Sequence, residues 1–386
     1  MAMLVWRNIR SKERAGLDPL ACLWRGPVFA RGKLDSLMSP SRVTRGSPAV
    51  PGTDSLNQAF VPSTQRRLGV CIATFRRPQG LRELLIGLAA QRFANREDVA
   101  VVVAVADNDP LGGGCAVCNE EARGYPWPLR CRVEPRQGIS QARNASLALV
   151  GTDADFVAFI DDDERPDPDW LENLLLVQRE YDADVVTGPV LPILDPQTPN
   201  WVVRGRFFER PRYETGKTLP IAKTGNALVR MSLLASMPEP FDPRFGSTGA
   251  EDTELFRRLN RAGARIVWAD SAVVRERVPT LRTSVRWLVR RAWRVGYAYA
   301  IVELCQEPRL RTRPLRLLKG FARMLEGLAW LPLGWRRERL VRAMQGAAFG
   351  AGMVAGALRP ESKTSMRRAR VVNNARLRQR RRDLTE

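Results

Sequence analysis

Three consecutive aspartates, Asp161, Asp162 and Asp163, follow directly after the apolar run of residues 156–160. Adjacent carboxylates repel one another, and the repulsion grows where the local dielectric falls below that of water. An acid run can lie in a solvated loop, but this apolar run is rich in β-branched and aromatic residues, as expected of a parallel strand covered on both faces. Ligands of open α/β sheets bind outside the carboxyl ends of such strands. The aspartates are therefore predicted to face a cation or a hydrogen-bonded ligand.

Two further acidic points stand at the ends of predicted elements. Asp107 ends the apolar run of residues 99–106, and Glu251 and Asp252 lie between a glycine-containing stretch and an amphipathic helical pattern. Each has an ordinary explanation alone, because Asp favours turns and acids favour helix N-termini. Together with the aspartate run, they predict a site for a nucleotide, a divalent metal and a general base.

The chain of 386 residues contains no histidine. This excludes a Ser-His-Asp triad, an H-E-x-x-H metalloprotease and an imidazole base. Acid-base chemistry must therefore use carboxylates. A metal held by oxygen ligands alone is expected to be a hard cation.

The six cysteines and the beginning of the chain both bear on the compartment. Cys115 and Cys118 form one C-x-x-C, but only Cys131 lies near, so the second pair that a zinc site needs is missing. Residues 1–12 are basic and no long apolar run follows them, which argues against a signal peptide and for a reducing compartment. The cytosol is the expected location, and Met38 is an alternative start.

Predicted strands and helices alternate along the middle of the chain. This alternation indicates an α/β fold with a mostly parallel sheet and crossovers on its faces. The Pro-rich stretch 191–222 has no readable pattern. Strands are predicted over 68–75, 99–106, 129–133, 156–160, 184–190, 265–269 and 271–278. Helices are predicted from Pro78, over 116–123, 138–150 and 170–181, and within 249–263, where Leu255, Phe256 and Leu259 share one helical face.

Seven short pieces occur in order: VCIATFRRP, VADNDP, GISQARNASL, FIDDDERPDPDWL, KTGNALVR, GAEDTELFRRL and ERVP. In these pieces the chain resembles the family 2 glycosyltransferases of the GT-A fold, most closely the bacterial branch that includes succinoglycan-type exopolysaccharide glucosyltransferases. The resemblance covers residues 67–299. It implies a Rossmann-like α/β domain that transfers a sugar from a nucleoside diphosphate donor, usually UDP, with inversion at the anomeric carbon.

The resemblance also implies roles for residues that contact the donor. By position in the matching pieces, Thr74 and Arg76 would lie along the edge of the bound nucleotide, and Asp107 would hydrogen-bond the uracil. Arg143 would lie near the diphosphate. These are the residues expected to bind the nucleotide sugar, together with two of the aspartates.

The remaining implied roles fall on the acids. Asp161 would meet the ribose, with Asp162 beside it on the nucleotide-sugar side, and Asp163 would bind the Mg²⁺ or Mn²⁺ that bridges the phosphates. Asp252, the second acid of the Glu-Asp pair, would take the proton from the acceptor hydroxyl. Glu251 is the alternative base.

The chain departs from the family pattern in two places. Many relatives have a histidine near the metal or phosphates, where this chain offers Arg275 and Glu276, so the second ligand on the metal side stays open. The Gln/Arg-x-x-Arg-Trp motif of processive synthases is also missing, which favours one sugar per visit.

The formal net charge of +21 is concentrated from Arg275 onward, where 27 Lys or Arg stand against 8 Asp or Glu. Arg282, Arg286, Arg290 and Arg294 recur four apart with Trp287 between them. A solvated helix face is one interpretation and a nucleic-acid surface a less favoured one. An interfacial helix on anionic lipid fits at least as well. No apolar run reaches the roughly 20 residues needed to span a bilayer.

These features predict four regions. Residues 1–66 are a poorly ordered extension, 67–280 the GT-A domain, 281–358 a basic amphipathic helical region that associates with membrane, and 359–386 a disordered basic tail. The protein is expected on the inner face of the cell membrane, where a saccharide or a lipid-linked sugar diphosphate would be the acceptor. The Pro-rich stretch 191–222 is expected to contact this acceptor.

Two other functions remain open at this stage. A Mg²⁺-dependent phosphohydrolase of the haloacid type uses D-x-D-x-T/V after a strand, but Arg165 stands at the fifth position here. A non-catalytic basic adaptor for membrane or nucleic acid is the other alternative. Release of UDP from UDP-glucose with Mn²⁺ would distinguish a transferase from such an adaptor.

Overall fold

The computed structural model describes residues 65–306, 312–333 and 335–359. The predicted N-terminal extension, apart from its last two residues, the alternative start Met38 and the predicted tail beyond Arg359 lie outside the described residues. The described strands, in chain order, are β1 Arg66–Thr74, β2 Val99–Asp107, β3 Leu129–Val133, β4 Phe156–Phe159, β5 Glu164–Pro166, β6 Val185–Thr187, β7 Val190–Leu194, β8 Ala227–Arg230, β9 Ile266–Trp268 and β10 Val274–Val278.

The described α-helices connect and follow these strands. They are α1 Pro78–Ala89, α2 Gly113–Glu121, α3 Ile139–Val150, α4 Trp170–Tyr181, α5 Asn200–Gly205, α6 Met231–Ala235, α7 Glu251–Arg261, α8 Val285–Gln306, α9 Thr312–Ala329 and α10 Arg337–Leu358. The predicted α/β alternation is therefore confirmed as far as α7, and three longer helices complete the described part of the chain.

Seven strands form the main sheet in the order β3-β2-β1-β4-β8-β6-β9. Neighbouring strands are parallel except at β8, which runs antiparallel to β4 and to β6. The mostly parallel sheet predicted from the sequence is thus confirmed. The reversed strand was not predicted, because the apolar pattern of a buried strand does not encode its direction.

The two faces of this sheet are covered by different helices, as the alternation of side chains along a strand requires. On one face Val70 and Ile72 of β1 pack with the four leucines of α1 and with α2 and α4. On the other face Cys71 and Phe159 pack with α3, α6 and α7. The helical spacing predicted for α1 is confirmed, since Leu81, Leu84, Leu85 and Leu88 are all completely buried.

A second sheet of three strands, in the order β5-β10-β7, lies at the end of β4. The sequence predicted one strand over residues 184–190, but β6 ends at Thr187 and β7 begins at Val190. A Cβ at Gly188 would overlap the carbonyl oxygen of Ala272 and lie 2.8 Å from Asn226 Nδ2. The chain can therefore cross from the main sheet to the small one only with glycine at this position.

The long helix α8 packs on the α/β part at two places. Leu288 meets Trp201 and Val202 of α5 and Val341 of α10, and further along α8 two small apolar residues pack against Phe245. In the part of the chain that the structure describes, no helix combines the length and the apolar content that crossing a membrane requires.

Candidate active site

The aspartate run lies between β4 of the main sheet and β5 of the small sheet. Its backbone is fixed by Glu164, the first residue of β5, whose Oε2 accepts a hydrogen bond of 2.9 Å from the amide of Asp161. Burial, with the nearby charge of Asp161, raises the pKa of Glu164 well above its usual range. The sequence analysis did not single out Glu164, because an acid that follows three acids looks like one more member of the run.

Asp162 faces inward and is held by residues at the end of β1. Its carboxylate accepts hydrogen bonds of 2.8 Å from Thr74 Oγ1 and from Arg77 Nη1. Burial raises the pKa of Asp162 to about 6, although Arg77 opposes the shift. A Cβ on Gly80 would lie 2.6 Å from the carbonyl oxygen of Asp162, so α1 can approach the loop only with glycine there.

Asp163 lies between two guanidinium groups. Its Oδ2 is 3.0 Å from Nη1 of Arg77 and 3.1 Å from Nη2 of Arg282, and the side chain is 22% exposed. Arg282 also contacts Oε1 of Glu276 at 3.0 Å. The sequence predicted Arg282 on an amphipathic helix, but it lies in the short 3₁₀ turn Thr280–Thr283 before α8 and reaches into this site.

Arg143 joins the aspartate run to α7. Its Nη2 donates a hydrogen bond of 2.7 Å to Asp161 Oδ1, and its Nη1 pairs with Oε1 of Glu251. Burial disfavours the guanidinium charge, but the carboxylates of Asp161 and Glu251 outweigh it and raise the pKa of Arg143. Arg143 and Glu251 are nearly inaccessible, whereas the Asp161 side chain is 38% exposed. Arg143 therefore positions two acids of the site.

The two acids that begin α7 have different surroundings. Burial raises the pKa of Glu251 to about 7, and its Oε2 has no hydrogen-bond partner among the described residues. Asp252 is also disfavoured by burial, but Lys223 and Arg143 outweigh it and hold the pKa of Asp252 below its usual range. Lys223 Nζ lies 3.2 Å from Asp252 Oδ2, and the Asp252 side chain is 13% exposed.

Asp107 is completely buried at the end of β2. Its Oδ1 accepts from the amide of Asp109 at 3.0 Å, and its Oδ2 accepts from the amides of Gly114 and Cys115 at 2.6 and 3.2 Å. In this conformation the carboxylate anchors the start of α2. Arg76 forms the exposed rim of this part of the site. Its backbone has a left-handed φ of 56°, and its Nε lies 3.7 Å from Oδ1 of Asp109.

The carboxylate oxygens at this site suit a hard divalent cation that is held partly by the protein and partly by a bound substrate. Asp163 presents carboxylate oxygens that are partly open to solvent. Among the described residues no three His, Cys, Asp or Glu side chains are grouped to hold an ion by themselves. Mg²⁺ commonly binds one or two carboxylates, substrate phosphates and water, so the residues present fit such an ion.

The two residues that replace the family's histidine separate in the structure. Arg275 pairs with Asp167 at 2.8 and 3.0 Å, outside the site. Glu276 contacts Arg210 at 2.6 Å as well as Arg282, and so stands beside the site. Alternate side chains of β10 point to opposite faces, which explains why adjacent residues have such different partners.

A pocket of about 380 Å³ opens beside Asp163 and is predominantly basic. Arg291 and Arg294 lie in it without an ion-pair partner in the described part of the chain. The Arg291 guanidinium lies 5.4 Å from the Trp287 ring centroid, and burial together with Arg210 lowers the pKa of Arg291 to about 10. The lining residues are Phe208, Glu276, Arg282, Trp287, Arg291 and Arg294.

Cys115 and Cys131 form a disulfide that links α2 to β3. This differs from the free thiols expected of a reducing compartment. The pairing arises because α2 packs alongside β3, which the spacing of cysteines along the chain does not reveal. Cys118, the other member of the C-x-x-C, is free and buried.

Comparison with known proteins gives consistent matches over this region. Residues 69–237 match the family model of glycosyl transferase family 2, and residues 156–354 match that of glycosyl transferase family group 2. The succinoglycan biosynthesis protein ExoM of Rhizobium meliloti is 33% identical over 240 residues, which are 62% of this chain and 76% of ExoM.

Two solved structures are also similar. TarS 1–349 of S. aureus in complex with UDP-GlcNAc is 18% identical with a TM-score of 0.45, and the match covers 72% of this chain and 79% of that one. The mannosyltransferase PcManGT of Pyrobaculum calidifontis in complex with GDP-Man and Mn²⁺ is 19% identical with a TM-score of 0.45, and the match covers 82% of this chain and 81% of that one.

Proposed function

Because the chain belongs to glycosyl transferase family 2, we propose that it moves a sugar from a nucleoside diphosphate donor, with UDP as the nucleotide, to a saccharide or lipid-linked saccharide in polysaccharide biosynthesis. The observation that carries this proposal is the aspartate run held between three arginines, Arg77, Arg143 and Arg282. Carboxylates beside guanidinium groups suit a donor that brings both a divalent cation and a diphosphate.

The donor side of the site is assigned as follows. Asp163, with Asp161 on the same loop, would hold Mg²⁺ or Mn²⁺, and when bound the ion neutralises negative charge on the departing diphosphate. Arg77 and Arg282 lie within 3.1 Å of Asp163 and can turn to phosphate oxygens from there. Thr74, Asp162 and Arg143 position the loop, and Arg76 contacts the nucleotide at the exposed rim.

The acceptor side contains the base. An inverting displacement needs a carboxylate that is ionised and within hydrogen-bond reach of the attacking hydroxyl. Asp252 meets the first condition because Lys223 and Arg143 favour its charged form, and it is more accessible than Glu251. We therefore assign to Asp252 the removal of the proton from the acceptor hydroxyl. Glu251 is assigned a positioning role, because it holds the Arg143 guanidinium in place.

The basic pocket is the proposed place of the acceptor. Acceptor contacts were expected from the Pro-rich segment 191–222. Phe208 of this segment lines the pocket next to Trp287, and the two ring centroids are 5.9 Å apart. Aromatic rings suit a sugar face, and the arginines suit the diphosphate of a lipid-linked acceptor. Arg165, which fills the Thr/Val position of the phosphohydrolase motif, pairs with Glu83, so nothing at that position supports the haloacid alternative.

Thermal unfolding with a series of nucleotide sugars, each with Mn²⁺, Mg²⁺ or excess EDTA, tests the proposal. A ligand at about a hundred times its dissociation constant adds about 2.7 kcal/mol to the free energy of unfolding. We expect UDP-sugars to stabilise the protein only with a divalent ion, and slow release of UDP in the same samples. No stabilisation by any nucleotide sugar, or full stabilisation in EDTA, would overturn the assignment.

A further inference from the structure

The outer face of α9 carries large apolar side chains that remain exposed and that no other described residue covers. A helix on a folded protein normally turns such a stripe toward the core. Here the residues recur three or four apart along one face and remain between 45% and 67% exposed. We call them the apolar stripe: Leu315, Leu318, Phe321, Leu325 and Leu328. Trp330 and Trp335 extend it past the end of the helix, with exposures of 45% and 78%.

The only fully buried residues in the described part of α9 are two glycines, Gly320 and Gly327. A Cβ on Gly327 would overlap the backbone nitrogen of Ala347 in α10, and one on Gly350 would overlap that of Met324 in α9. The two helices therefore meet at backbone distance along this face. Large apolar side chains have no room between them, so they must point outward.

One basic residue of α9, Arg316, is also turned inward. Arg316 is only 11% exposed, and its Nε lies 2.6 Å from Oε2 of Glu303 in α8, whose side chain is 7% exposed. An ordinary amphipathic helix in water buries its leucines and exposes its arginines. Along the stripe and at Arg316, α9 departs from this pattern, while the side chains of Arg323 and Glu326 remain 42% and 55% exposed. An exposed apolar patch of this kind marks an interaction site.

Basic residues continue this surface beyond α9. Arg336 and Arg339 lie 5.5 and 5.9 Å from the ring centroid of Trp335, and Arg337 lies between them in the chain. Tryptophan with arginine beside exposed leucine is the composition of a protein surface at the boundary of an anionic bilayer. A second copy of this chain would bring like charges together at these arginines, whereas anionic lipid neutralises them.

We propose that the apolar stripe, with Trp330 and Trp335, inserts into the interfacial layer of an anionic lipid bilayer. This proposal does not depend on the transfer reaction. The stripe lies within residues 281–358, the region expected from the sequence to associate with membrane, but it places the lipid contact on α9 and not on the arginines around Trp287. The structure places Arg282 and Arg294 of that set in the basic pocket instead.

Co-sedimentation of the full chain with vesicles tests this surface. Vesicles of phosphatidylcholine alone are compared with vesicles that also contain phosphatidylglycerol, at low and high salt. The double variant Leu318→Ser/Leu325→Ser removes two exposed members of the stripe. The matched control is Ile86→Ser/Leu176→Ser, which removes two side chains that are 58% and 46% exposed on α1 and α4.

We expect wild type and control to bind phosphatidylglycerol vesicles equally, with binding weakened by salt. The stripe variant should bind about 10- to 100-fold more weakly, because each of the two leucines is already partly covered in the free protein and loses only part of its transfer from water to lipid. All three proteins should unfold at similar temperatures, since none of the four side chains is buried.

Three results would overturn the proposal. One is equal vesicle binding by the stripe variant and the control. Another is a wild-type protein that binds neither kind of vesicle, as expected if another part of the chain covers the stripe. The last is a wild-type dimer in light scattering that the stripe variant loses while its vesicle binding persists, which would assign the stripe to a second copy.

Discussion

Glu251 and Asp252 are neighbours in the chain, but their surroundings move their pKa values in opposite directions. Burial raises the pKa of Glu251 to about 7, while Lys223 and Arg143 outweigh burial and lower that of Asp252. Near neutral pH, Asp252 is therefore ionised and Glu251 is partly protonated. Activity measured against pH can separate the two, which activity at one pH cannot.

Asp252→Asn is expected to lower kcat about 10²- to 10⁴-fold, the range for loss of a positioned general base. Donor-induced stabilisation should be unchanged, because Asp252 does not contact the aspartate run. The activity of wild type should not fall as the pH is lowered through 7. The pKa of Asp252 lies below its usual value of 3.8, so this carboxylate stays ionised there. Glu251→Gln is the companion variant. A fall in activity with an apparent pKa near 7 that disappears in Glu251→Gln would transfer the role of base to Glu251.

Arg282 is the residue whose role the structure changes most. Arg282→Gln should weaken binding of a UDP-sugar with Mn²⁺ by about 10-fold or more, because a hydrogen bond to a charged group contributes about 1.5–3 kcal/mol. Arg275→Gln is the matched control, since Arg275 lies seven residues earlier and pairs only with Asp167. Isothermal titration calorimetry measures both. Equal affinities for the two variants would remove Arg282 from the donor site.

At the scale of elements, alanine substitutions at two glycines in the contact between α9 and α10 are expected to change the stability of the protein in different ways. Gly327→Ala should destabilise the protein by about 1–3 kcal/mol, the usual cost of overpacking, because its Cβ meets backbone that cannot move aside. Gly346→Ala has room, with its nearest neighbour, Gly327 Cα, at 3.5 Å. It should be neutral or stabilising by up to about 1 kcal/mol, because alanine favours the helix.

Urea unfolding of both glycine variants measures these changes in the free energy of unfolding. If Gly327→Ala were as stable as Gly346→Ala, the two helices would not meet at backbone distance. The inward face of α9 could then hold larger side chains. Close packing against α10 would no longer explain why the apolar stripe lies on the outer face.

At the scale of the whole molecule, the predicted boundary at residue 280 can be tested by truncation. A chain of residues 65–386 should keep donor-induced stabilisation, because every described core cluster and all matched family segments lie within it. A chain that ends at residue 280 lacks Arg282 and the residues of α8 that pack on Trp201 and Phe245. We expect it to unfold at a lower temperature and to bind UDP-sugars weakly.

The two truncated chains are compared by thermal unfolding with and without a UDP-sugar and Mn²⁺. Undiminished donor binding by residues 1–280 would support a separate domain that ends there. It would also show that the contact between Arg282 and Asp163 contributes nothing to the donor site.

Local sequence determined the elements and the edge of the sheet where the site forms. The leucines of α1 recur at helical spacing, and the apolar run before Asp161 ends one residue after β4. These patterns are local, because burying one face of a helix or both faces of a strand imposes a period on the chain itself. The seven motifs pointed to the family for the same reason, since each is a short stretch at an element end.

Tertiary structure alone decided which side chains meet. Arg77 and Asp162 are 85 residues apart, and Arg282 and Asp163 are 119 apart, so no local period relates them. The same holds for Arg143 with Glu251, which is why a residue expected at the diphosphate proved to hold two acids together. The pattern of α9 showed an amphipathic helix but not which face would be covered. That depended on the glycines of α10, because only residues without a Cβ let the small face, and not the leucines, pack inward.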